Sequence, residues 1–237
     1  MATKLSVNIN KVALIRNSRG SNLPDLRQFA MDCERFGAEG ITVHPRPDQR
    51  HVRYDDIPIL KEVVTTELNI EGYPSETFLE MVLEHQPHQC TLVPDPPGVL
   101  TSSEGWDLVK SKDFLSEVVG RLQERSIRVS LFVDPNSDQL SRARDTGTDR
   151  VELYTGTYAN EYPLDPHKAI QSYTECGRRA AELGLGLNAG HDLNLTNLKY
   201  FSEHVEGVLE VSIGHALVTD ALYYGIGNVI GMYKALL

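Results

Sequence analysis

Eight short β-rich runs recur along this chain, and stretches with helical periodicity separate them. The runs are Leu5–Asn10, Gly40–His44, Asn69–Tyr73, Gln89–Pro94, Arg128–Asp134, Arg150–Thr155, Gly186–His191 and Leu209–His215. Helical stretches include Leu23–Gly37, Ser75–Gln86, Lys112–Ser126 and Pro166–Gly184. Ser75-Glu76 and Asp165-Pro166 carry the chemistry of helix starts, and Gly37 and Gly184 stand where helices stop. Strands that alternate with helices predict a parallel sheet.

The alternation inside the strands says which parallel sheet. Successive side chains of a strand point to opposite faces. Val7 and Ile9 share one face, and Ser6, Asn8 and Asn10 the other. Ile41 and Val43 oppose Thr42 and His44, Leu131 and Val133 oppose Ser130, Phe132 and Asp134, and Val151 and Leu153 oppose Glu152 and Tyr154. In the last run Val211 and Ile213 oppose Glu210, Ser212 and Gly214. An open doubly wound sheet would be apolar on both faces. One aliphatic and one polar face predict an α/β fold of the closed type, a (β/α)8 TIM barrel with extra helices. The aliphatic face packs on the helices, and the polar face lines a lumen built for ligands. The 237 residues suit such a barrel, which typically needs roughly 250. No linker-like segment divides the chain, so residues 1–237 are expected to form a single barrel domain.

Barrel active sites lie at the C-terminal ends of the strands. The polar residues expected there are Asn8, His44, Glu71, Glu152, His191 and His215. Of eight histidines, His44, His191 and His215 close strands and His51 follows in the loop after strand two. His85 and His88 fall at the opposite end, and His167 and His204 in helical stretches. A lone strand-end histidine is usually a packing residue; three that converge with Glu71 are not readily explained so. The loop after strand two, in the segment GITVHPRPDQRH, adds Arg46, Asp48, Arg50 and His51 between two prolines. Guanidinium groups in that density fit an anionic, phosphorylated small molecule. Gly190-His191 and Gly214-His215 end strands seven and eight, whose loops bind phosphate in many barrels. Arg16, Arg19 and Gly20, placed in the loop after strand one, offer another anion contact. Glu71 and Glu152 face the lumen, where restricted water would raise a carboxyl pKa into the range useful for acid–base work. For Glu152 a structural pairing with a lumenal Arg or Lys is the competing reading.

Charge narrows the partners. With 33 acidic against 23 basic residues the chain carries a formal charge of -10, which disfavours nucleic acid and anionic membranes as partners. No run approaches 18 apolar residues, and Met1–Asn10 lacks the apolar stretch of a secretion signal. Cys33, Cys90 and Cys176 are three and scattered, as expected for reduced thiols in a cytoplasmic protein.

The pieces SVNIN, RNSRG, GITVHPRPDQRH, NIEGYPS, TLVPD, VSLFVD, VELYTG, LNAGHDL and SIGHA run in order along nearly the whole chain. In them the chain resembles the pyridoxine 5′-phosphate synthase family, the ring-closing enzymes of vitamin B6 biosynthesis. The resemblance implies a transferase that condenses 3-amino-2-oxopropyl phosphate with 1-deoxy-D-xylulose 5-phosphate. It implies no metal and no organic cofactor, and a homo-oligomer, an octamer. By motif, His44 and Glu71 would accept protons, His191 would donate one, and Glu152 would stabilise charge in an intermediate. Asn8, Asp192, Gly214 and His215 would hold the aminoketone phosphate; Arg19, Arg46, His51 and Thr101 would hold the pentulose phosphate. The family pattern departs at Asn10-Lys11, where many members carry Asp-His, and at Gly72, where a Met is common. Asn10 and Lys11 occupy positions that help bind the pentulose phosphate, so Lys11 is expected to act there as a fixed positive charge. The segment Asp95–Trp106 is expected to close over the substrates.

Two other readings compete. A metal-dependent barrel hydrolase or isomerase would use His44, His191, His215 and Glu71 as ligands, but strand one carries Asn8 and Asn10 where a His-x-His pair belongs in one large class. A phosphosugar-binding barrel without turnover would not need His44, Glu71 and His191 together.

Overall fold

The structure, a computed structural model, describes residues 2–95 and 104–237. Eight strands form a closed parallel barrel in chain order. They are β1 (Lys4–Asn8), β2 (Gly40–Val43), β3 (Glu67–Gly72), β4 (Gln89–Leu92), β5 (Arg128–Val133), β6 (Arg150–Tyr154), β7 (Gly186–Gly190) and β8 (Val208–Ile213). Pairing of β1 with β8, Ser6 opposite Ser212, closes the ring. The described helices are α1 (Asn10–Asn17), α2 (Leu26–Arg35), α3 (Asp56–Val63), α4 (Glu76–His85), α5 (Lys112–Gln123) and α6 (Ser137–Asp145). They continue as α7 (Gly156–Glu161), α8 (Pro166–Leu183), α9 (Leu198–His204), α10 (His215–Tyr224) and α11 (Ile226–Lys234). This is the expected TIM barrel with extra helices.

Local chemistry accounts for the element ends. The Ser75 hydroxyl accepts from Phe78 N and starts α4, and the Asp165 carboxylate accepts from Lys168 N and starts α8 with Pro166 in its first turn. Such a cap contributes about 1 kcal/mol. Gly184 ends α8 at φ +65°, a left-handed conformation open to glycine at no steric cost. The stretch expected from Leu23 starts its helix only at Leu26, where Asp25 caps the first turn.

The alternation places the core. Val7, Ile41, Leu68, Ile70, Leu131, Val151, Leu153 and Ala189 are fully buried between the barrel and its helices. Ser6, Thr42, Asn69, Thr91, Ser130, Glu152, Asn188, Glu210 and Ser212 are buried as well, on the lumenal face. Their polar groups form a belt: Ser6 Oγ lies 2.7 Å from Thr42 Oγ1, Asn69 Nδ2 donates to Thr42 Oγ1 at 3.4 Å, and Thr91 Oγ1 donates to Asn69 Oδ1 at 3.1 Å. Below it, at the N-terminal end of the strands, lies a network of ions. Glu67 Oε1 accepts from Lys4 Nζ at 2.5 Å and its other oxygen from Arg128. Arg128 Nε donates to Gln89 Oε1 at 2.9 Å, and Arg150 Nη1 to Asn188 Oδ1 at 3.2 Å.

Strand one is shorter than expected. It stops at Asn8, whose Oδ1 accepts from Asn10 N at 3.1 Å, and this short side-chain turn leads straight into α1. Asn10 and Lys11 are therefore the first residues of a helix rather than strand and loop, and Arg16 is helical too.

Candidate active site

The chain just past β2 carries His44, and the Asn10 side chain fixes its backbone: Asn10 Oδ1 accepts from His44 N at 2.9 Å. Asn10 thus supports His44 from outside the strand. His44 Nδ1 stands 3.8 Å from Glu71 Oε2, and only 9% and 12% of the two side chains are exposed. Burial, with Arg46 and His51 adding positive charge nearby, holds His44 well below the usual imidazole range, so its ring is neutral at neutral pH. Burial raises Glu71 to about 7; the charges of His191 and Arg46 pull it down but do not cancel the effect.

Glu152 faces the same lumen. Among the described residues no Arg or Lys lies in ion-pair contact with it; Thr91 gives its carboxyl a hydrogen bond, and Oε2 has no partner. Burial and the neighbouring Glu71 and Glu210 push its carboxyl well above the usual range, toward the protonated form that can donate. A Cβ on residue 190 would sit 2.2 Å from Glu152 Oε1, so glycine is required there to let the carboxyl lie against β7. His191 follows at φ +84° and Asp192 at φ +55°. The His191 ring lies 6.0 Å from that of Phe132 and 5.4 Å from that of Tyr154, edge-on to the latter. The imidazole, with Nδ1 3.8 Å from Asp192 Oδ2, holds that carboxyl below its usual range, helped by His215 and Lys11.

Gly214 and His215 begin the turn and the helix after β8, so His215 stands exposed on α10 rather than at a strand end. Gly214 packs against Asn8, whose Cβ would be 3.0 Å from a Cβ added there. Asn8, Gly214, His215 and Asp192 therefore gather on one side of the rim, with Lys11 between them and His51.

The other side is the loop after β2. A cavity of about 310 Å³ opens there between Pro45, Pro47, Tyr54, Tyr73 and Phe78, with Arg46, Asp48, Arg50 and Asp95 as its charged groups. Arg46 Nη2 donates to Asp95 Oδ2 at 2.9 Å, and both are buried. His51 Nδ1 accepts from Val52 N at 2.9 Å, which leaves Nε2 as the protonated nitrogen of the neutral ring. Burial and the Arg50 and Arg46 charges lower His51 to about 4, so it offers a neutral donor.

Two expected anion contacts resolve differently. Arg16 is buried on α1 and spends its guanidinium on Asp56, at 2.6 and 2.9 Å, and on His51 O at 3.3 Å. It ties the loop after β2 to α1 and α3 and is not a ligand group. Arg19 stands exposed in the turn after α1, and no contact among the described residues ties it to the rim cluster. Thr101, and with it most of the Asp95–Trp106 closure, lies outside the described residues. Among the described residues no group of three or more His, Cys, Asp or Glu side chains could hold a metal ion. Among them, too, no helix is long and apolar enough to cross a membrane.

Sequence reasoning missed Asp95 as the partner of Arg46 and Glu210 as a third carboxylate that acts on Glu152. Glu210 carried a signal, its place on the polar face of strand eight. Asp95 carried none, because it falls after a strand in a long loop.

A family model for pyridoxal phosphate biosynthesis protein PdxJ matches residues 5–237. The chain belongs to the PdxJ family. It is 54% identical over 231 residues to the pyridoxine 5′-phosphate synthase of Flavobacterium johnsoniae, with 98% of each chain covered. It is equally 54% identical, over 235 residues and 99% of each chain, to that of Parabacteroides distasonis. Among solved structures, KGPDC from Streptococcus mutans superposes with a TM-score of 0.64 at 12% identity, over 100% of this chain and 97% of the other. That last likeness is one of fold. Within the PdxJ family fold, the departure at Gly72 has a packing partner: the Phe78 ring of α4 lies where a side chain at 72 would go, 2.2 Å from an added Cβ.

Proposed function

We propose that this PdxJ-family enzyme makes pyridoxine 5′-phosphate from 3-amino-2-oxopropyl phosphate and 1-deoxy-D-xylulose 5-phosphate, releasing phosphate and water. The reading is supported above all by the His44–Glu71 pair, a neutral imidazole beside a carboxyl of pKa about 7, at the rim of a polar lumen. The chemistry joins an amine to a ketone, loses water, expels phosphate and closes an aromatic ring, and each step moves a proton. Groups that titrate near the working pH move protons best.

In this scheme His44 and Glu71 accept protons from carbon and nitrogen of the condensing pair. His191 donates to the departing oxygen. Glu152, kept neutral, gives a hydrogen bond to oxygen that gains negative charge. Asn8, Asp192, Gly214 and His215 hold the aminoketone phosphate at the β1–β8 side, with the turn at the start of α10 offering backbone N–H groups to its phosphate. Arg46, His51, Arg19, Thr101, Asn10 and Lys11 serve the pentulose phosphate: Arg46 and Lys11 by charge, His51 by a neutral N–H, and Asn10 by fixing His44. Two sites flanking one lumen bring the substrates together. No metal or organic cofactor takes part. The assembly is a cytoplasmic homo-octamer in this scheme, and Leu222, Tyr223 and Tyr224, exposed at 73%, 81% and 55% at the end of α10, are apolar surface for it to cover.

Incubation of the purified protein with both substrates tests the scheme. It requires the pyridine absorbance and one phosphate per turnover to appear together, and neither with one substrate omitted. Phosphate release without the chromophore would replace the condensation by hydrolysis.

A further inference from the structure

The turn that carries His191 is the least relaxed backbone in the site. His191 and Asp192 are consecutive, neither is glycine, and both have positive φ, at +84° and +55°. Side-chain-bearing residues occupy that region sparsely, and they stay there only where the surroundings hold them. What holds this pair can be traced. Downstream, Asp192 O accepts from Asn194 Nδ2 at 3.3 Å and from Asn197 Nδ2 at 3.2 Å. Upstream, the carbonyls of Gly190 and His191 converge on one residue, Thr155, which follows β6 and precedes α7. Thr155 N donates to Gly190 O at 2.9 Å. Its hydroxyl, on a fully buried side chain, is shared between Gly190 O at 2.7 Å and His191 O.

We propose that Thr155 is a positioning residue that holds His191 in its left-handed backbone conformation and so aims the imidazole at the lumen between Phe132 and Tyr154. A β-branched side chain has few rotamers, so the hydroxyl is held ready for both carbonyls at little entropic cost. The carbonyl of His191 cannot rotate away without giving up that hydrogen bond in a buried setting, where an unmade bond is expensive. Rotation of the preceding peptide, whose Gly190 carbonyl Thr155 also holds, would change φ at His191 and swing the imidazole off the Tyr154 edge and away from the reacting atoms. Gly190 cannot absorb the change either, because Glu152 lies against it. Thr155 itself reaches no substrate atom in this arrangement; it works through His191.

The proposal rests on the reading of His191 as the proton donor, and the test separates the two. Thr155→Val keeps the shape and removes the hydroxyl. It is expected to lower kcat roughly tenfold to a hundredfold, the effect of misplacing a catalytic group by about an ångström, with both KM values within about twofold. Thr155→Ser is expected to recover most of the loss. The imidazole signals of His191, assigned in a long-range ¹H–¹⁵N spectrum by their loss in His191→Gln, are expected to move in Thr155→Val and to return in Thr155→Ser. If Thr155→Val does not fold, Thr155→Cys, a weaker and longer donor, gives the same comparison. Parental kcat and unmoved imidazole signals in the valine or cysteine variant, with His191→Gln inactive, would overturn the role of Thr155 alone. Parental turnover by His191→Gln would overturn the reading beneath it.

Discussion

Glu67 and Glu71 lie four residues apart on β3, on the same face of the same strand, and differ in almost everything that matters chemically. Glu67, at the N-terminal end of the lumen, sits between Lys4 and Arg128. Burial pushes its carboxyl up, but the hydrogen bonds from those two cations outweigh burial and bring it down to about 2. Glu71, at the C-terminal end, has the His44 ring at 3.8 Å, and that ring is neutral; burial wins and the carboxyl rises to about 7. One strand therefore carries an acid committed to stability and an acid held ready for protons. The counterion, not the residue type or the fold, decides which is which. A chain that can seal one end of its lumen with paired ions can leave carboxylates at the other end without partners.

The largest break in this comparison is Glu71→Gln. The amide keeps the shape and cannot accept a proton as a base, so turnover is expected to fall about 10²–10⁴-fold. Stability is expected to move the other way. A carboxyl raised in the folded state is penalised once the unfolded chain ionises, so the penalty grows as pH rises from about 4.5 toward 7 and is constant above. Glu71→Gln should therefore melt above the parent at pH 8, by up to about 3 kcal/mol in stability, and with the parent at pH 4. Calorimetry at both values checks the sign, and a variant that melts lower at pH 8 would show that Glu71 is held by partners, as Glu67 is.

Gly190→Ala should come next. Its added methyl would lie 2.2 Å from Glu152 Oε1, so the carboxyl must shift by an ångström or so, and that costs up to about a hundredfold in kcat. Substrate KM values should change little. Unaltered kcat would mean that Glu152 stands clear of the reacting atoms.

Glu67→Gln sharpens the contrast from the other end. It strands Lys4 and Arg128, whose side chains are 45% and 27% exposed, so the loss should sit at or below the lower part of the range for buried pairs, about 2–3 kcal/mol. Turnover at 25 °C should stay within about twofold of the parent. Because the Glu67 carboxyl is depressed, its contribution is present above about pH 4.5 and fades as pH falls toward 2. The gap in denaturant midpoint between parent and variant should therefore be widest at pH 7, smaller by about half at pH 3, and closed only below about pH 2.

Much of this contrast was legible in the sequence. Period-two alternation in five strands, with aliphatic residues on one face and Ser, Thr, Asn and Glu on the other, required a lumen rather than a doubly covered sheet. The caps at Ser75, Asp165 and Gly184 followed from local chemistry. What could not be read is pairing across strands. Arg16 and Arg46 look alike in sequence; the fold gives one to Asp56 and the other to Asp95 beside the cavity, and only long-range geometry makes that choice. The end of β1 was hidden too, because VNIN satisfies both the strand pattern and the Asn8 turn that leads into α1.

Lys11 offers the finest test, since it stands on the rim but outside the lumen. It is exposed on the first turn of α1, yet its charge reaches both His51 and Asp192, lowering each. It thus lies between the side of the rim assigned to the pentulose phosphate and the side assigned to the aminoketone phosphate. A Lys keeps its charge across the working range, whereas the His common at this position in the family would titrate near 6.5. Lys11→Met should raise KM for the pentulose phosphate several-fold, as expected for one exposed charge worth about 1 kcal/mol or less, and leave kcat unchanged. Lys11→Arg should recover part of the affinity, because the charge is kept and only its shape differs. Salt should narrow the gap between parent and Lys11→Met, since an exposed charge is screened within about 10 Å at 0.1 M, while the Glu71→Gln defect should ignore it. A rise confined to the aminoketone phosphate would assign Lys11 to Asp192 and its side of the rim. A fall in kcat at constant KM would place Lys11 in the chemistry, and the division between a buried proton-handling lumen and a charged rim would have to be redrawn.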